Sequence, residues 1–461
     1  MKKIITLIIC ISLLASCSTP KSIDKLADDI VIGLIYYEAE NNTQSYENLR
    51  YLTKNYTKRL ACYPQSIEAA KWTQSIMEDL NFDKVFLQEA TVMNWKRGSQ
   101  EIGNIKIKDQ LIPVNVCALG RGIATPENGI EATVIEVNGL DALAQLQTNY
   151  VEGKIVFLNQ AMNPNLQNPF QAYGEAAGQR FMGPIIAAEK GAVGVVIRSL
   201  TCATDTFPHT GVTRKVEGEP TVPAVAIATQ HANLLSEYLK QNPDLKFYFK
   251  TDCENLPDTI TYNTIGEMTG TEFPNEYIII GGHLDAWDNS PGAHDDGGGC
   301  MQAIEVLRIF KELGIRPKRS IRAVMYMDEE ISQGGGRAYA EQAKLNGEIH
   351  IAAIESDRGV DTPLGFSIDA SSDKLLKITG WKELFIPYNV DVFIAGGGGV
   401  DIAPLKDHGA VLMGLLTDPK HYFDYHHSAN DTFDKVKPSD MQKGAATIAS
   451  LVYLIDKYGL E

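Results

Sequence analysis

The chain has 461 residues, of which 44% are hydrophobic and 22% charged, and its formal charge is -16. That length exceeds one ordinary hydrophobic core, so two folded units and a leader are expected, and the composition excludes disordered and collagen-like classes. The acidic balance, with no basic stripe, excludes a nucleic-acid partner, because a phosphate backbone would be repelled.

At the N-terminus Lys2 and Lys3 precede an apolar run from Ile4 to Leu14. The run is too short to span a bilayer and has the character of the h-region of a secretory signal. It ends in Leu14-Ala15-Ser16-Cys17, which resembles a bacterial lipobox. Residues 1–16 are therefore expected to leave as a signal peptide, Cys17 to carry lipid, and residues 17–30 to act as a tether. No other stretch is apolar enough to cross a membrane, so the expectation is an exported, periplasmic lipoprotein of a bacterial envelope, touching the membrane through Cys17. Losing the two leader lysines takes the charge to about -18. Cys62, Cys117, Cys202, Cys253 and Cys300 remain, an odd set without C-x-x-C spacing, so any disulfide pairing stays open.

Leu49, Leu52, Tyr56 and Leu60, then Ala69, Trp72, Ile76 and Leu80, recur at helical spacing, with Tyr63-Pro64 as the break between two helices. A strand is expected from Lys84 to Val92. Short β-rich runs then follow at Thr133–Val137, Ile155–Leu158 and Val193–Ile197, around one Ala-rich helical stretch that ends at Gly191. This reads as a small α/β insert over residues 118–252, dividing the main unit into 31–117 and 253–461. The stretch "AAEKGAVGVVIRS" followed by "TVPAVAI" resembles the protease-associated domain, a non-catalytic module inserted in several exopeptidases.

After Asn263 strand and helix alternate. Strands are expected at Tyr277–Gly281, Ile321–Met327, Ile351–Ile354 and Val411–Leu416, with an amphipathic helix over Met301–Leu313. The final helix is expected to begin near Ser439, which forms a capping-box pattern with Gln442. The fold class is α/β: a mixed, largely parallel sheet flanked by helices. In such sheets ligands gather at the carboxyl ends of strands.

That edge collects the chemistry. His283-Leu284-Asp285 follows one expected strand, Asp328-Glu329-Glu330 a second, Glu355-Ser356-Asp357 a third, and His426-His427 comes a short loop after a fourth; the loop "PGAHDDGGG" adds Asp295. Imidazole nitrogens and carboxylate oxygens are what zinc takes when a site keeps coordination open. Two histidines and three carboxylates suffice for two ions sharing one bridging carboxylate. In Glu329-Glu330 the neighbours diverge on leaving the strand, so one can bind metal while the other serves as general base. In His283-x-Asp285 the carboxylate is expected to take the histidine's other N–H and fix its tautomer. Singly these pieces are weak signals; their order and their positions after strands make them specific.

The segments "GGHLDAWD", "GAHDDGGG", "MDEE", "IESDRG" and "HHSANDT" resemble, in order and spacing, the co-catalytic di-zinc aminopeptidase and glutamate carboxypeptidase family. Within it the carboxypeptidase Q (plasma glutamate carboxypeptidase) branch is the most similar, through "IRSLTCATDTFPHTGV", the insert and the paired histidines. The resemblance implies the zinc exopeptidase fold and two Zn(2+) ions. It makes His283 and Asp357 ligands of one zinc, Glu330 and His427 of the other, Asp295 the bridge and Glu329 the base. Asp295 is chosen over Asp296 as the first acid after Gly292-Ala293-x, and His427 over His426 because it lies four positions before Asp431. Many relatives have tyrosine where His426 stands, so His426 and Tyr425 are both candidates for steadying the oxyanion.

The implied activity is hydrolysis of short peptides, in particular dipeptides with both ends free. The alternatives are a broader aminopeptidase on the same site, a non-catalytic peptide-binding lipoprotein, and a one-zinc cyclase acting on N-terminal glutamine. Arg358 is a candidate for pairing with a substrate carboxylate or for a structural salt bridge. The insert is expected either to cover the cleft and limit substrate length or to form a homodimer contact. Gly334–Gly336 and Gly396–Gly399 read as flexible rim loops or simple turns.

Overall fold

The computed structural model describes residues 26–99 and 101–461. The signal peptide, Cys10, Cys17 and the first part of the tether lie outside these residues. Helices α1 (Asp28–Glu40), α2 (Gln44–Asn55) and α3 (Pro64–Asp79) lead into strand β1 (Lys84–Lys96). Pro64 opens α3 because its fixed φ suits the first helical turn and its missing N–H is not needed there.

The chain then builds a second sheet. Its members are β2 (Glu101–Ile107), β3 (Gln110–Val114), β4 (Val116–Ala118), β5 (Ile130–Val137), β6 (Ile155–Leu158), β7 (Gly194–Arg198), β8 (Ala224–Ile227) and β9 (Lys246–Thr251), with helices α4 (Pro169–Glu189) and α5 (Thr229–Gln241). The strand order is β3-β2-β9-β5-β6-β7-β8-β4, around cores of its own in which Phe157, Phe247 and Phe249 are fully buried. This sheet takes in 101–114, ahead of the expected boundary at 118, because β2 pairs antiparallel with β9.

Strands β10 (Glu254–Met268), β11 (Phe273–His283), β12 (Arg319–Tyr326), β13 (Ile349–Glu355), β14 (Pro363–Asp369), β15 (Val392–Ala395) and β16 (Val411–Thr417) join β1 in the main sheet, whose order is β1-β10-β12-β11-β13-β16-β14-β15. The centre is parallel, from β12 through β11 and β13 to β16, while β1, β10 and the β14–β16 pairing are antiparallel. The fold class is therefore mixed α/β, as expected. Strands β10, β14 and β15 extend it beyond the expected set. Every residue of β12 is buried, as a strand covered on both faces requires.

Helices cover both faces. Helix α6 (Gly298–Glu312) is buried from Gly298 to Phe310 and packs against β11, β12 and α8 (Pro438–Tyr458). On the opposite face α7 (Gly334–Leu345) sets Tyr339, Ala340 and Ala343 against Ile279, Val324 and Tyr326. The expected capping box on the last helix does not form. Pro438 takes the first helical position, and the Gln442 amide donates instead to the Asn42 carbonyl at 2.5 Å. Gly334–Gly336 are not a rim loop either; they open α7, where a Cβ on Gly335 would lie 2.3 Å from the Met327 carbonyl oxygen. All five remaining cysteines are free thiols.

Parallel register brings the chemistry to one edge. His283 pairs with Tyr326, and Gly281 with Glu355, which in turn pairs with Gly414. The residues that follow these strands all emerge at their carboxyl ends.

Candidate metal centre

At that edge His283 Nε2 lies 3.2 Å from an Asp295 oxygen and 3.4 Å from an Asp357 oxygen. On the other side of Asp295, His427 Nε2 is 3.6 Å from the second Asp295 oxygen and 3.0 Å from Glu330. Asp295 thus stands between two clusters, each holding one imidazole and one further carboxylate. His283 Nε2, Asp295 Oδ2 and Glu330 Oε1 are buried with no hydrogen-bond partner. Buried polar atoms are ordinarily satisfied, so three orphans facing one another at imidazole–carboxylate spacing are what a cation site needs. The residues present fit a pair of divalent ions.

The electrostatics agree. Burial disfavours a charged His283, yet Asp357 and Asp295 outweigh it and hold its proton affinity well above normal: the acids call for positive charge there. Burial and the stacked His426 hold His427 neutral, with its pKa well below normal, and a neutral imidazole is the ligating form. Glu330 is pushed well up by burial and by Asp295. Glu329 borders the same cavity without pairing to either histidine. Burial pushes its carboxyl well above the ordinary range against the pull of His283, and Asp357, Asp295 and Asp285 add to the rise.

Two neighbours compete for the same roles. Asp296 comes within 4.8 Å of His283 and Asp357, but its two oxygens accept the backbone N–H groups of His283 at 3.0 Å and Gly299 at 3.2 Å. His426 reaches Asp295 only at 3.9 Å and stacks on His427, with ring centroids 3.5 Å apart. Tyr425 does not line the cavity and its ring lies 5.2 Å from that of His294, so of the two oxyanion candidates His426 is the one that borders the site.

Asp285 departs from expectation. His283 Nδ1 is 3.0 Å from the Asp285 backbone oxygen, while the Asp285 carboxylate, 3.7 Å away, accepts instead the N–H groups of Asp328, Glu329 and Glu330. A fixed tautomer still results, because the ring N–H has a carbonyl acceptor.

Other residues brace these groups. Arg59 is fully buried and donates to the carbonyls of Leu284 (2.7 Å), Pro291 (2.5 Å) and Gly292 (2.6 Å), which fastens the loop between His283 and Asp295. Asp431, its carboxyl pushed up to about 6 by burial, accepts the His294 and Asp295 N–H groups at 2.8 and 3.0 Å. Glu355, pushed up to about 7 by burial and then by Asp357, accepts from Val400 and Ile402. Arg358 has no ion pair among the described residues; its guanidinium sits 5.0 Å above the Phe170 ring.

The second sheet's unit reaches into this site. Thr210 N–H donates to the His427 carbonyl at 2.9 Å, and His209 Nδ1 is 2.7 Å from the His426 carbonyl oxygen. Phe170, Tyr173 and Arg180 of α4 line a cavity of about 320 Å³ opposite Asp295, Glu329, Glu330 and Asp357. That volume lies at the low end for small-molecule sites, which run from about 300 to 1,000 Å³.

Comparison with known proteins places this geometry. Residues 263–452 match the family described as peptidase family M28. The chain is 30% identical to carboxypeptidase Q of Bos taurus over 430 residues, 93% of this chain and 88% of that one. A peptidase M28 precursor from Shewanella amazonensis SB2B superposes with a TM-score of 0.89 at 31% identity, covering 93% of this chain and 96% of that one. A zinc aminopeptidase from Bacillus subtilis shares the fold at 17% identity and a TM-score of 0.64, over 89% and 94% of the two chains.

Proposed function

This chain belongs to peptidase family M28, and on that premise we propose that it is a di-zinc exopeptidase that hydrolyses short peptides, dipeptides with free termini in particular. The observation that carries the reading is the meeting of His283, Asp295, Asp357, Glu330 and His427 at one sheet edge, with His283 Nε2, Asp295 Oδ2 and Glu330 Oε1 buried and unpaired. His283 and Asp357 would hold one ion, Glu330 and His427 the other, and Asp295 both. Zinc held by these residues would supply Lewis-acid polarisation of a peptide carbonyl and would lower the pKa of a bound water from about 15.7 to about 7.

The chain's own groups do the rest. Glu329, free of both histidines and raised by burial, takes the proton of the attacking water and returns it to the leaving amine. His426, held neutral by burial with its pKa pushed down to about 3, offers an imidazole N–H toward the developing oxyanion. The wall of Phe170 and Tyr173 limits how far a peptide extends. We read the unit over 101–251 as the protease-associated module of the sequence expectation, turned here into one side of the substrate site.

The test is a panel of dipeptides, N-blocked dipeptides and longer peptides, assayed with wild type and Glu329→Gln. Free dipeptides should be cleaved best, and the variant should lose about 10²- to 10⁴-fold in turnover, the span of general-base contributions. Cleavage of blocked substrates alone would refute the free-terminus reading, and an unimpaired variant would remove Glu329 from its role. We further take residues 1–16 as a leader and Cys17 as the lipid anchor of an envelope enzyme; Cys17→Ser should then move the protein from the membrane to the soluble fraction. No described helix is long and apolar enough to cross a membrane.

A further inference from the structure

His283 and His427, the two imidazoles of the proposed metal pair, are held from different units. His283 Nδ1 has its acceptor in the Asp285 carbonyl, two residues along the same stretch of chain. His427 Nδ1 instead lies 3.3 Å from the carbonyl oxygen of Thr210, which belongs to the second-sheet unit. Thr210 also donates its N–H to the His427 carbonyl at 2.9 Å. His427 needs such a clamp, because its φ of +60° is a left-handed conformation that is costly for a residue with a Cβ. The orientation of this one ligand therefore depends on how the second unit is seated. That unit is joined to the main one through two neighbouring stretches, 97–101 and 251–254.

Arg97 stands at this seat, 6% exposed, and its fork of donors reaches both units. Toward the main unit, Nε donates to Asp288 Oδ1 at 2.8 Å and Nη2 lies 2.7 Å from the same oxygen. Asp288 belongs to the loop between His283 and Asp295, and its other oxygen accepts from the Tyr63 hydroxyl at 3.0 Å. Toward the second unit, Nη1 donates to the Glu101 carboxylate at 3.0 Å and to the Ala118 carbonyl at 2.8 Å. The Thr210 hydroxyl donates to that same Ala118 carbonyl at 2.8 Å, and its oxygen lies 3.5 Å from Arg97 Nη2. One guanidinium thus ties the metal-site loop to the residue that clamps His427. The neighbouring rings repeat the connection: Trp287, fully buried beside Asp288, packs on the His427 ring with centroids 5.6 Å apart, and Trp95 meets Trp287 edge-on at 6.2 Å. A planar fork can bridge these acceptors together, which a lysine ammonium cannot.

Resting on the di-zinc reading above, we propose that Arg97 is a positioning residue that makes the ion held by Glu330 and His427 depend on the docking of the second-sheet unit, while the ion held by His283 and Asp357 does not. Arg97 acts through Thr210 and Asp288 and takes no part in ligation or proton transfer. The His283 end of the loop keeps a brace of its own in Arg59, whose bonds to the Leu284, Pro291 and Gly292 carbonyls do not involve the second unit.

The experiment withdraws zinc from the loaded full chain with a graded chelator and reads the two dissociation constants separately. Wild type should hold two ions per chain. Arg97→Gln should weaken one of them by about 10- to 100-fold, the usual effect of removing a group that orients a metal ligand, and leave the other within about twofold. Two backgrounds identify the ion. In Asp357→Ala, which keeps the Glu330 and His427 site, Arg97→Gln should weaken the ion that remains; in His427→Ala, which keeps the other site, it should change nothing. Arg97→Lys retains the buried charge if the glutamine variant fails to fold, and Asp288→Asn cuts the same ion pair from its other end. Both should weaken the same ion as Arg97→Gln.

The inference is overturned if Arg97→Gln weakens both ions equally or neither, or if it weakens the ion that remains in His427→Ala. Arg97 would then be a contact that stabilises the fold without distinguishing the two sites. A wild-type chain that holds one zinc ion or none overturns the di-zinc reading itself, and this inference with it.

Discussion

The Asp285 carboxylate accepts the backbone N–H of Glu329 at 3.2 Å, and the same carboxylate holds Asp328 at 2.8 Å and Glu330 at 3.4 Å. One buried side chain thus fixes the turn that presents both the proposed base and a proposed ligand. The turn needs this, because Asp328 adopts a φ of +77°, a left-handed conformation that costs about 1 kcal/mol or more for a residue with a Cβ. Asp285→Ala should lower kcat by about 10- to 100-fold, the usual effect of removing a group that orients metal-site residues. Asp285→Asn keeps one acceptor oxygen and should fall between. Equal kcat for wild type and Asp285→Ala would show that the turn holds its shape unaided.

The two histidines next to each other in sequence should separate cleanly by metal content. His427 faces both Glu330 and Asp295, whereas His426 reaches only Asp295, and from farther away. Purified wild type should carry two zinc ions per chain, lose activity to a chelator and regain it with zinc. His427→Ala should retain about one ion, and His426→Ala should retain both while losing turnover. One ion in wild type would remove the bridging role from Asp295.

What the sequence revealed and what it hid divide along a physical line. His283, Glu330 and Asp357 were legible because each follows an apolar strand of period or continuity that can be read locally, and parallel strands must release their ends at one edge. The loops that carry Asp295 and His427 were legible through residue types that fit a metal, whereas the choice of Asp295 over Asp296 and of His427 over His426 came from the family resemblance alone. Arg59, Arg180, His209 and Thr210 were not. Their partners lie far along the chain, as with Arg59 and the Gly292 carbonyl or His209 and the His426 carbonyl, and nothing local marks such contacts. Gly334–Gly336 misled because a glycine cluster reads as a loop, whereas here each lacks a Cβ for packing reasons; a Cβ on Gly336 would sit 2.4 Å from the Asp401 carbonyl oxygen.

The aromatic wall should set substrate length. Phe170 stacks on Tyr422 with ring centroids 5.3 Å apart, and Tyr173 stacks on Phe423 at 4.8 Å, so α4 is bound to the chain just before His426-His427 rather than merely lying near it. Phe170→Ala opens the cavity at its outer side without touching a metal-site residue. The ratio of tripeptide to dipeptide kcat/KM should rise about tenfold, in line with the roughly 1–3 kcal/mol that steric pockets contribute to discrimination. An unchanged ratio would place the length limit elsewhere.

Acid should loosen the junction between the two units at His209. Burial pushes its imidazole down to about 4 from an ordinary 6.5, against the pull of the His426 carbonyl and with Arg180 adding to the fall. Its Nε2 is buried without a partner, so a second proton there would be unsatisfied. Above pH 6.5 the ring is neutral in both folded and unfolded chains and contributes no pH dependence. Between pH 6.5 and about 4 the unfolded chain takes a proton that the folded one refuses, so stability falls as pH falls, by up to about 3 kcal/mol near pH 4. His209→Asn cannot titrate and keeps an N–H for the His426 carbonyl. Urea unfolding of both proteins at pH 7.5 and 4.5 isolates this residue, since metal loss and other acids act on both alike. The stability advantage of wild type over the variant should shrink or reverse at the lower pH; a constant difference would mean that His209 is protonated in the folded protein or solvated on opening.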